Sequence, residues 1–134
     1  MPLTDSQRQL WISTQLSEAA SAAYNESISL YMRGPLDLPA LQRALQQLVD
    51  RHESLRVTFS PEGDCQWISS QVTFELAFAD FSSLAPAERE AEVKEWMSRE
   101  VEEPFDLVKG PLVRGRIAKV EEQYHVLVFT THHL

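Results

Sequence analysis

The 134 residues are 43% hydrophobic and 24% charged, values of an ordinary globular chain long enough for one domain with a real core, which excludes disordered, collagenous and coiled-coil classes. A net charge of −8 with no basic cluster argues against nucleic acid as a partner, and no apolar run nears the roughly 18 residues that cross a bilayer, so no membrane partner is expected. A lone cysteine, Cys65, closes no internal disulfide, and Met1 to Asp5 carries no secretory signal, so the expected location is the reducing cytoplasm.

Thr4 and Gln7 match the capping-box pattern and open a helix through Leu10 and Trp11 to about Leu16, followed by a loop to Tyr24-Asn25. Ser27 to Arg33 alternates, with Ile28, Leu30 and Met32 on one face, and predicts a half-buried strand that Gly34-Pro35 stops. Asp37 is then an N-cap for an amphipathic helix carrying Leu41, Ala44, Leu45, Leu48 and Val49 and ending near His52. Leu55, Val57 and Phe59 mark a strand, and Pro61 to Asp64 a turn. Cys65 to Ser69 is the return strand of that hairpin, and Phe74, Leu76 and Phe78 one more short strand.

A helix from near Pro86, with Val93, Trp96, Met97 and Val101 on its apolar side, ends before Pro104. The acidic run Glu88 to Glu103 reads as its solvated face. Two strands close the chain, about Leu112 to Val120 and Tyr124 to Thr131, around a polar turn. The order α-β-α-β-β-β-α-β-β predicts a mixed α/β or α+β layer structure. The last strand is among the most apolar, yet the sequence stops three residues after it, at a segment that reads as the start of a loop.

Gly-rich phosphate loops, a nucleophile elbow and zinc-ligand spacing are all missing. His132 and His133, at the end of an apolar strand, are the best candidates for chemistry, because a neutral imidazole takes or positions a proton near neutral pH. Adjacent residues of an extended segment point to opposite sides, so the pair is a poor metal site and none is expected. The alternative is one histidine packed inside and the other solvated. Arg51, His52, Glu53 and Arg56 form a second polar cluster, either a scaffold beside an active site or charges that suit a helix C-terminus.

Several segments, taken in order, resemble the condensation domains of nonribosomal peptide synthetases. Thr4 to Trp11 is similar to the first signature, departing at Thr4 and Ser6, and Tyr24-Asn25 fits the pair before the first strand. Arg51 to Phe59 is a near-complete match to the second signature apart from Val57. Pro104 to Leu107 with Gly110, Pro111, Leu112 and Arg114 matches the segment before the catalytic strand, and Thr131 to Leu134 looks like the opening of a His-His-x-x-x-Asp-Gly signature.

The resemblance implies a chloramphenicol-acetyltransferase-like fold of two lobes. Residues 1–134 would form a single, incomplete N-terminal portion, most of the first lobe, truncated inside the third signature. It implies that His133 is the catalytic histidine and that His132, Arg51 and Arg56 support the site. It implies amide formation between an upstream carrier-bound acyl or peptidyl thioester and a downstream carrier-bound aminoacyl amine. The expected partners are acyl- and peptidyl-carrier proteins, the C-terminal lobe and neighbouring synthetase domains. No bound cofactor is expected; phosphopantetheine arms of the carriers bring the substrates. The fragment alone is expected to be inactive, and its closing stretch to leave apolar surface without a partner lobe. Epimerization and coenzyme A-dependent relatives, or a non-catalytic carrier-binding module, are the competing readings.

Overall fold

The capping box forms as the sequence predicts. In the computed structural model, which describes all 134 residues, the Thr4 hydroxyl accepts from the Gln7 amide and the Gln7 side chain accepts from the Thr4 amide, opening α1 (Asp5–Thr14). The segment read as a loop contains a short second helix, α2 (Glu18–Ala22), capped by Ser17. β1 (Asn25–Arg33) and α3 (Leu38–Arg51, capped by Asp37) follow. Glu53–Arg56 then winds as a 3-10 turn, so the strand expected from Leu55 begins only at Val57, and β2 is Val57–Phe59. β3 (Gln66–Ile68) pairs antiparallel with β2 as the expected hairpin. β4 (Leu76–Asp80), α4 (Pro86–Glu102), β5 (Val113–Glu121) and β6 (Tyr124–His132) complete the chain.

Four strands form one mixed sheet in the order β1-β6-β5-β4. β5 and β6 are antiparallel, β1 lies antiparallel on the outside of β6, and β4 runs parallel to β5 across the α4 crossover. α4 covers one face, where Trp96 packs on Ala118, Val120, Val126 and Val128. α3 covers the other, where Val49 packs with Phe74 and Val113. Gln42 and Gln46 clamp α3 in place by bonding the backbone of Val72, Phe74 and Leu76, beside the β4 edge. A third cluster, Leu3, Trp11, Phe59, Leu107 and Leu112, joins α1 to the hairpin.

Two expectations about burial are corrected. The closing strand does not leave apolar surface open: β6 lies between β1 and β5, and Val126, Leu127 and Val128 are buried. Open apolar surface lies elsewhere: on β1, where Ile28 is 63% and Leu30 49% exposed, and also at Ile12, Leu16, Trp67 and Phe78. Ile28 and Leu30 lie across from β6 residues of the α3 face, Phe129 and Leu127, but α3 is anchored at the opposite sheet edge and does not reach them. The acidic run on α4 is also not wholly solvated. Glu100 is 2% exposed and bonds Arg116 at 2.7 Å, with Arg114 3.8 Å away, so it ties α4 to β5.

Candidate functional site

β6 delivers the two histidines to opposite sides of the sheet, as alternation requires. His132 continues the face of Val126, Val128 and Thr130, under α2, and is 9% exposed. Its Nε2 lies 3.2 Å from the Ser21 carbonyl oxygen and its Nδ1 accepts from the Leu134 amide at 3.1 Å. That pairing fixes a neutral ring with the proton on Nε2. Phe105 meets the ring edge-on with centroids 6.3 Å apart, and Tyr24 lies at 6.2 Å. Burial holds the His132 imidazole below its ordinary pKa; the nearby His133 adds to this and the Ser21 carbonyl opposes it. With both nitrogens committed, His132 has no free position for a proton in transit.

His133 sits on the other side and is open. Its backbone amide donates to the Tyr24 carbonyl at 2.9 Å, extending the β1–β6 ladder by one bond. Its side chain is 59% exposed, and its Nδ1 lies 3.0 Å from Glu26 Oε1 while Nε2 has no partner. Both histidines border a cleft of about 460 Å³ between the end of β6 and the hairpin, but the nitrogens of His132 are already bonded. Leu55, Val57, Phe59 and Leu112 give the cleft apolar walls; Gln7, Glu26 and Gln66 give it polar ones. The Gln7 side-chain amide meets that of Gln66 at 3.3 Å, so the residue that caps α1 also seams the helix to β3.

Arg56 does not reach the histidines. Its Nε donates to the Val49 carbonyl at 3.2 Å and its Nη1 donates to the Ser69 carbonyl, so it joins the end of α3 to the segment just after β3. Arg51 is exposed at the last turn of α3, and neither arginine makes an ion pair. Arg114, quoted above only within a signature, sits behind His132. Its guanidinium stacks over Phe105 at 4.3 Å and donates to the carbonyls of Glu100 and Glu103, capping α4. Burial draws its pKa down, while Glu103 and Glu100 oppose that. Sequence reasoning missed Glu26 and Ser21 as neighbours of the histidines; only strand register and the unforeseen α2 bring them there. No three or more His, Cys, Asp or Glu side chains cluster to hold a metal ion, and no helix is long and apolar enough to cross a membrane.

The family described as "Condensation domain" matches residues 1–134. Chondramide synthase cmdD of Chondromyces crocatus is 40% identical across the whole chain, and malpinin synthetase of Mortierella alpina 30%. The chain spans only 4% and 2% of those relatives. Among solved structures, the starter condensation domain of rhizomide synthetase RzmA superposes with a TM-score of 0.84 at 26% identity, over 98% of this chain and 32% of that one. The first condensation domain of the CDA synthetase shares the fold, with a TM-score of 0.80 at 24% identity over 99% of this chain and 35% of that one.

Proposed function

The chain belongs to the condensation-domain family, with its chloramphenicol-acetyltransferase-like fold, and from that premise we propose that it supplies the histidine side of an amide-forming centre. The acceptor amine of a carrier-bound aminoacyl group attacks the carbonyl carbon of a carrier-bound acyl or peptidyl thioester. The C–N bond forms, the C–S bond breaks, and the sulfur leaves as the thiol of the donor's phosphopantetheine arm. The proton lost by nitrogen passes to His133 or to the departing thiolate. A thioester is already activated, so no nucleophilic side chain is required, and the role left to the protein is alignment and proton handling.

The observation that carries this reading is the division of labour at the strand end: both nitrogens of His132 are bonded, while His133 offers an unpartnered Nε2 in an open cleft. His132 then supports the site by locking the strand end. Arg56 supports it by fixing the hairpin whose Val57 and Phe59 wall the cleft, and Arg51 closes the helix that leads into that turn. Residues 1–134 act as the N-terminal portion of a larger two-lobed domain whose remainder covers the exposed Ile28 and Leu30; alone they are inactive. Carrier proteins and the neighbouring synthetase domains are the partners.

Reconstitution tests this. The synthetase containing this chain, given acyl-loaded and aminoacyl-loaded carriers, should release the amide detected by mass spectrometry, and the isolated chain should release none. Turnover with a free coenzyme A thioester but not with carriers would transfer the chain to that branch of relatives. Carrier binding with no turnover would make it a binding module.

A further inference from the structure

We propose that Glu26 is a positioning residue that holds the His133 ring in a single tautomer and orientation, an inference that rests on the reading of His133 above. Strand register puts it there: Glu26 pairs with Thr131, on the sheet face that His133 continues, and the His133 amide bonds the neighbouring Tyr24 carbonyl. The carboxylate oxygen and Nδ1 are 3.0 Å apart. A carboxylate facing Nδ1 acts as acceptor, so in the neutral ring the proton sits on Nδ1 and the lone pair is left on Nε2 for the incoming amine. The arrangement is the mirror of His132, whose proton is held on Nε2 by the Ser21 carbonyl. Two adjacent imidazoles are thus set in opposite tautomers by acceptors on opposite faces of the sheet.

Glu26 is not needed for folding. Both partners are more than half exposed, and an exposed pair of this kind adds little to stability. What it supplies is order in a side chain that otherwise rotates freely and exchanges its proton between nitrogens.

The test is kinetic, in the full-length synthetase with loaded carriers. Glu26→Ala should lower kcat roughly fivefold, the scale of one exposed charge-assisted contact, with KM for the aminoacyl carrier unchanged. Glu26→Gln should restore most of the loss, because its amide oxygen still accepts from Nδ1. In a His133→Ala background the residual rate should not respond to Glu26→Ala, since coupled positions are not additive. The proposal is overturned if Glu26→Ala leaves kcat intact, if glutamine does no better than alanine, or if the loss persists without His133. Full turnover by His133→Ala would instead remove the functional reading beneath it, a result distinguishable from silence at Glu26 alone.

Discussion

Replacing His132 by phenylalanine isolates what its two nitrogens contribute. The new ring fills a similar volume and keeps the aromatic contacts with Phe105 and Tyr24. It loses the bond to the Ser21 carbonyl and the one from the Leu134 amide. At about 1 kcal/mol for each, the expected loss is about 2 kcal/mol. The Ser21 carbonyl adds no large further penalty, because it also accepts from the Tyr24 amide. Urea denaturation reads this as a midpoint lowered by about 1 M for a slope near 2 kcal/mol/M.

The pH dependence supplies an internal control. Burial holds the folded pKa of His132 below its ordinary value of 6.5, so folding favours the neutral ring. Its contribution is therefore complete above the unfolded pKa and is lost as pH falls through the lowered folded one. Protonation also turns Nδ1 into a donor facing the Leu134 amide. The stability gap between the wild-type chain and His132→Phe should thus be widest near pH 7.5 and shrink in acid. A gap below about 0.5 kcal/mol at pH 7.5, under half the worth of a single bond, would refute the locking role. So would a gap that does not change with pH.

Two other positions test the framework around the site. Gly63 has a φ of 67°, and a Cβ there would stand 2.1 Å from the Trp11 ring. Gly63→Ala should therefore cost about 2 kcal/mol or more in thermal or urea unfolding, combining left-handed strain with overpacking; a neutral result would mean Trp11 does not fill that space. Glu100→Ala removes the buried carboxylate that meets Arg116 and Arg114 and should cost about 2 kcal/mol, because Arg116 keeps its 2.8 Å bond to Glu103, with Glu100→Gln milder. Burial pushes the Glu100 carboxyl above its ordinary 4.5, outweighing Arg116 and Arg114. The protonation-linked part of its contribution is complete below that value and falls away as pH rises through the folded pKa, while the contacts with the arginines remain; glutamine should abolish that slope in pH-dependent denaturation.

Much of the framework was legible because its signals are local. The Thr4–Gln7 capping box, the Asp37 cap, the prolines flanking α4 and the Pro61 to Asp64 turn each act within a few residues, and each element forms. What was not legible depends on distant packing. Alternation in β1 assigns Ile28 and Leu30 to one face without saying whether anything covers it. A helix face rich in glutamate gives no sign that Glu100 meets two arginines from β5. α2 is too short for periodicity, and Ser17 was its only local cue. The same limit applies at the site. Spacing separates His132 from His133, but the buried one is chosen by Ser21 and Phe105, which arrive from elsewhere in the chain.

The central claim is that His133, and not the ring beside it, acts on the reacting amine. Its most direct test is the single-turnover rate of amide formation by His133→Ala in the full-length synthetase with both carriers loaded. Stability should be unchanged, because the side chain is mostly exposed. The rate should fall by a factor on the order of a hundred or more, the scale on which a positioned acid–base group contributes. Amide formation at the wild-type rate by a folded His133→Ala enzyme would contradict the account.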